Sequence, residues 1–183
     1  MGDFVHYFNI SLGIGTIVLQ IISVFTLFLL FFVSKENRYL SFIKKNFIIL
    51  AFFLLFFSVL FSLFYSEILN YAPCFHCWIQ RIFLFPQMFL FGIAWFRKDK
   101  NVFWYSIFLL LVGMLDALYL NYIYYFNPNS APCDASGVSC VKRLVSEFGG
   151  YISIPMFSFT IFFVLMTVLL VVYFYKKDES INI

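Results

Sequence analysis

Residues 71–87, YAPCFHCWIQRIFLFPQ, place Cys74 and Cys77 three positions apart at the mouth of an apolar run, with Arg81 four positions beyond Cys77. A disulfide across so short a loop restrains the unfolded chain little, so C-x-x-C is a weak staple. It is a good redox element, because the two sulfurs stay close when reduced. Cys77 falls where a helix would start. The partial positive charge of a helix N-terminus stabilises a thiolate, the reactive form of cysteine. The i, i+4 spacing puts Arg81 on the same helix face as Cys77. A guanidinium there can stabilise a thiolate or donate to a ligand oxygen. The plainer reading is a snorkelling arginine near an interface. His76, between the two cysteines, is read as an exposed polar residue, although it has the chemistry to ligate metal or tune a thiol.

Two further cysteines, Cys133 and Cys140, lie in a later polar segment. The loops group Cys74 with Cys77 and Cys133 with Cys140, but spacing does not fix the connectivity. A four-cysteine zinc site is the alternative, and C-x6-C matches ligand spacing only loosely.

The elements that must position these residues follow from composition. The chain has 183 residues, is 63% hydrophobic and only 11% charged. That leaves too little polar surface to cover a water-soluble globule, and an integral membrane protein is implied. Five segments are apolar for about the 20 residues a bilayer needs: 10–33, 46–66, 78–96, 102–126 and 156–175. Only helices and closed barrels satisfy their backbone in lipid, and no period-2 alternation is present, so the fold class is an all-α integral membrane protein with five spans. The third span contains Arg81 and the fourth Asp116. Asp116 is read as a proton relay, as a polar partner of Gln87 at similar depth, or as a neutral acid hydrogen-bonded between helices. No repeat or linker divides the chain, so residues 1–183 read as one transmembrane domain.

Charge gives an orientation. Residues 34–45 hold Lys35, Arg38, Lys44 and Lys45, residues 97–100 hold three cations, and the tail starts with Lys176 and Lys177. These three segments fall on one side of a five-helix path. The other side holds the N-terminus, the loop before Cys74 and the long loop 127–155, with few cations beyond Lys142 and Arg143. Cytoplasmic loops collect Lys and Arg, so the N-terminus is expected outside and the C-terminus in the cytoplasm. All four cysteines then lie on the oxidising side, where disulfides form. The small net charge of +3, spread over short clusters, offers no surface for nucleic acid. The first span lacks the basic start and the cleavage site of a signal peptide and is read as an uncleaved helix.

The block PCFHCWIQRI and the later CDASGVSCVKRLVSEFGGYISIPMFSF resemble the quinone-linked disulfide bond formation proteins of bacterial membranes, the DsbB/BdbC group; the CW-x-QR form looks closer to the BdbC branch. The resemblance covers about residues 46–175. It implies a four-helix transmembrane bundle in the bacterial cytoplasmic (inner) membrane, to which 10–33 adds one N-terminal helix. It implies an oxidoreductase whose catalytic residues are Cys74, Cys77, Cys133 and Cys140. Its cofactor is a quinone, ubiquinone or menaquinone, with Arg81 at a quinone oxygen. Its partners are membrane lipid and an extracytoplasmic thioredoxin-like dithiol protein of the DsbA kind, and no metal is involved. On this reading the long loop moves between partner and helix mouth, YISIPMFS lies along the interface, and Trp78, Phe83 and Phe85 offer aromatic walls. Two competing readings remain. One is a vitamin K epoxide reductase-like enzyme, in which the C-x-x-C comes late in the chain. The other is a membrane scaffold or transporter subunit with structural disulfides.

Overall fold

A computed structural model describes residues 2–32, 37–127, 139–141, 145 and 147–175. Five helices carry the apolar segments: α1 (Gly2–Phe32), α2 (Arg38–Leu63), α3 (Phe75–Arg97), α4 (Val102–Phe126) and α5 (Ile154–Phe174). Each is long and apolar enough to cross a bilayer, as the sequence predicts, although α1 and α2 begin eight residues earlier than the apolar runs alone suggest.

Local chemistry sets the ends. The Asn37 side chain accepts from Tyr39 N at 2.9 Å and starts α2. Ser153 caps α5, with Pro155 in its first turn where no N–H is needed. Lys98, at φ 54°, ends α3 in the left-handed region. The last turn of α2 widens into a π-helical turn, Phe64–Ile68.

α2 packs on α3, α3 on α4, α4 on α5, and α5 back on α2, which closes a four-helix bundle. Its core includes Leu55, Phe91, Leu110 and Phe162. α4 and α5 approach so closely at Gly113 that a Cβ there would meet the Phe162 ring at 2.3 Å. α1 lies outside this bundle, packed chiefly on α5 and touching α2 little. Polar bonds fix it: Gln20 Nε2 donates to Thr160 Oγ1 at 2.7 Å, and Tyr151 OH donates to Gln20 Oε1 at 2.8 Å.

The YISIPMFS stretch is not a separate surface segment. Ile152 and Ser153 are fully buried, and α5 begins at the next residue. Ile152 pairs its backbone with Glu147, and this closed turn clasps α1, whose Gly13 faces Phe148 and Ile152.

Candidate active site

The start of α3 positions the first pair. Cys74 is the N-cap residue in extended conformation, and Cys77 sits in the first turn. Their Sγ atoms lie 3.2 Å apart. Cys74 is nonetheless joined to Cys140, with Cα atoms 5.3 Å apart, and Cys77 is a free thiol. The structure thus holds a covalent link between the two loops, in place of the within-loop grouping of Cys74 with Cys77. Leu120 of α4 lies against it: Cys74, Cys140 and Leu120 bury one another with Cys77 packed against them. Cys133 lies outside the described residues.

Arg81 is held as its spacing suggests. It lines the same cavity as Cys77. Its Nε donates to Ser62 Oγ at 2.9 Å and its Nη2 to Ser62 O at 2.8 Å. Ser62 sits where α2 passes into the π-helical turn, and it offers Arg81 both a hydroxyl and a carbonyl oxygen. The guanidinium also lies 5.2 Å from the Trp78 ring centroid. These contacts are why a cation is tolerated in an apolar span. No carboxylate lies within salt-bridge distance of it among the described residues.

His76 is the main surprise. It is buried, not exposed. Its Nδ1 lies 2.7 Å from Asp116 Oδ1, so an ionised carboxylate there accepts the Nδ1 proton. The expected Asp116–Gln87 pairing does not occur: Gln87 Oε1 accepts from Ser106 Oγ at 2.6 Å, and its Nε2 donates to Phe83 O. The signal for His76 was available in α3. His76, Gln80, Leu84, Gln87, Phe91 and Ala94 are its buried residues, spaced as one helical face.

Three buried side-chain atoms find no partner among the described residues: Gln80 Nε2, Asp116 Oδ2 and Asn121 Oδ1. Gln80 lines the cavity with Cys74, Cys77 and Arg81. That cavity, about 710 Å³, runs between α1, α2 and α5 from the cysteines toward Thr26 and Tyr39. Trp78, Phe83 and Phe85 do not line it; Trp78 faces outward and the two phenylalanines pack against the core. No cluster of three metal-ligating side chains exists among the described residues.

The site is thus a disulfide with a free thiol beside it at one end of a bundle of helices long enough to span a membrane, which defines a membrane thiol–disulfide protein. Residues 44–172 match the family described as disulfide bond formation protein DsbB, and the chain belongs to that family. It is similar to the SPbeta prophage-derived disulfide bond formation protein B of Bacillus subtilis strain 168, 41% identical over 114 residues, 62% of this chain and 76% of the relative. It is also similar to the probable disulfide formation protein C 2 of Bacillus cereus, 35% identical over 127 residues, 69% of this chain and 91% of the relative. A probable disulfide formation protein of Metapseudomonas resinovorans is 31% identical over 130 residues, 69% of this chain and 88% of the relative. No solved structure matches. The chain is a multi-pass membrane disulfide oxidoreductase, and α1 lies outside the matched residues.

Proposed function

We propose that this protein reoxidises an extracytoplasmic thioredoxin-like dithiol partner and passes the electrons to a membrane quinone. One observation carries the reading. Cys77 is a free thiol 3.2 Å from Cys74, itself joined to Cys140, and it faces a largely apolar cavity that also holds Arg81 and the unpaired Gln80 Nε2. A quinone fits this donor set. Arg81 and Gln80 would donate to its carbonyl oxygens, which would satisfy a buried N–H that is otherwise costly, and the largely apolar walls would suit its body.

The exchange balances as follows. The resting protein holds Cys74–Cys77 and Cys133–Cys140. A partner thiolate attacks Cys133, breaks its bond to Cys140, and leaves a mixed disulfide and a Cys140 thiolate. Cys140 attacks Cys74, forming Cys74–Cys140 and releasing Cys77 as thiolate, the linkage this structure holds. The partner's second thiol breaks the mixed disulfide and leaves as a disulfide. Cys133 then attacks Cys140, restoring Cys133–Cys140 and freeing Cys74. Cys74 and Cys77 re-form their bond as two electrons leave. A quinone held by Arg81 and Gln80 would supply the acceptor for those two electrons and two protons. Arg81 stabilises negative charge at the oxygen it holds, and the Cys133–Cys140 loop links water-borne partner to membrane site.

The four cysteines and Arg81 are the working residues of one transmembrane domain in a bacterial cytoplasmic membrane. The cysteines face outward with the N-terminus, and the C-terminus is cytoplasmic. This orientation rests on Lys44, Lys45, Arg97, Lys98 and Lys100 at the opposite end of the bundle. The test is anaerobic quinone reduction by the purified protein, driven by a reduced thioredoxin-like partner. Wild type is expected to turn over, Cys77→Ser to be inactive, and Arg81→Ala to need about tenfold or more quinone, the loss of a charged hydrogen bond. A wild type that oxidises no thiol with either quinone class overturns the proposal in favour of a disulfide-stapled scaffold.

A further inference from the structure

α1 has no counterpart in the matched family residues, yet it supplies a wall of the cavity. Its face from Ser11 to Thr26 lines the space, with Gly15, Thr16 and Ser23 between them. That stretch is about 22 Å long at 1.5 Å per residue, most of a bilayer's hydrocarbon thickness. α1 and α2 are pinned to each other at both ends. At the cysteine end Tyr65 OH donates to Asn9 Oδ1 at 2.6 Å, and at the far end Thr26 Oγ1 and Tyr39 OH lie 3.0 Å apart. Between the pins the two helices touch little. The result is a slot, floored by α5, that runs down from Cys77 and Arg81. A Cβ built at Gly15 meets nothing within 4 Å, whereas one at Gly13, two residues away, meets Phe148 at 3.0 Å. Gly13 serves docking; Gly15 leaves room.

We infer that the α1–α2 slot is the binding groove for the isoprenoid tail of the quinone, with α1 as the wall that encloses it. This rests on the quinone reading above. The occupant follows from continuity: the slot is one cavity with the Cys77–Arg81–Gln80 end, so a ligand whose ring sits there must place its tail along α1. The slot is mostly apolar along its length, which suits a hydrocarbon chain attached to a polar head.

The test measures binding, not turnover. Quenching of tryptophan fluorescence in the full-length oxidised protein is titrated with a quinone carrying a long isoprenoid tail and with the same ring lacking a tail. Wild type is expected to prefer the tailed compound. Gly15→Phe starts from a position where an added Cβ meets nothing within 4 Å, projects a ring into the slot, and should weaken the tailed quinone about tenfold or more, as when two or so methylenes lose their burial. The tailless ring should bind Gly15→Phe as it binds wild type. Ile14→Phe, on the exposed side of α1 and outside the slot, should change neither. Equal effects of Gly15→Phe on both compounds, or on neither, overturn the inference. So does displacement of the tailed quinone from wild type by a diacyl phospholipid at similar concentration, which would make the slot an acyl-chain groove. A wild type that binds neither ring overturns the quinone reading itself, a result distinct from the others.

Discussion

In the half of the bundle remote from the cysteines, Gln87, Ser106 and Lys44 are paired. Gln87 uses both ends of its amide, toward Ser106 and Phe83, and Lys44 Nζ donates to the terminal carbonyl region of α5 at Tyr175 O, 2.7 Å away. In the cysteine half, Gln80, Asp116 and Asn121 each keep a buried atom without a partner among the described residues. The same two helices, α3 and α4, carry a finished polar lock at one depth and an unfinished one at another. Unsatisfied buried groups cost stability and persist where something other than packing requires them. Of these, Gln80 shares the cavity with Cys74 and Cys77, so the contrast separates groups that hold the bundle from one placed to meet a ligand.

The contrast can be broken by substitution. His76→Ala should have the largest effect on stability, because it leaves Asp116 buried with no partner on either oxygen; breaking a buried pair costs about 3–5 kcal/mol. Denaturation in mixed detergent measures it, and His76→Phe with Asp116→Leu should recover most of the loss. Gly113→Ala comes next, at about 1–3 kcal/mol, since the added methyl must push the fully buried Phe162 ring. Ser106→Ala removes one donor from the finished lock and should cost about 0.6–1 kcal/mol, with thiol oxidation unchanged. Gln80→Leu sharpens the contrast most. It deletes a donor that makes no bond, so stability should stay level or rise, while the quinone concentration needed for half-maximal rate rises.

The five helices, the position of Cys77 at a helix start and the shared face of Cys77 and Arg81 were all legible in the sequence, because each depends on local spacing. What was not legible depends on register between helices. A hairpin closed symmetrically by residues 98–101 sets Gln87 opposite Val112, about one turn from Asp116. The contacts are instead offset by nearly two turns, setting Gln87 on Ser106 and Asp116 on His76. Packing at contacts such as Gly113 on Phe162 sets that offset, and nothing in one helix alone encodes it. The same offset carries the end of α4 past the start of α3, so that Leu120 reaches the sulfurs. The link from Cys74 to Cys140 was hidden for the same reason, since it joins residues 66 positions apart.

The central claim is that electrons pass between the loops through Cys74 and Cys140, with Cys77 released to face the membrane cavity. It is tested most directly by a disulfide map of the protein in membranes. The sample is quenched with acid during turnover on a reduced partner with quinone limiting, then alkylated and digested. The account predicts a peptide pair joined through Cys74 and Cys140, with the alkyl group on Cys77. Finding only Cys74–Cys77 and Cys133–Cys140 pairs at every stage of turnover would contradict it.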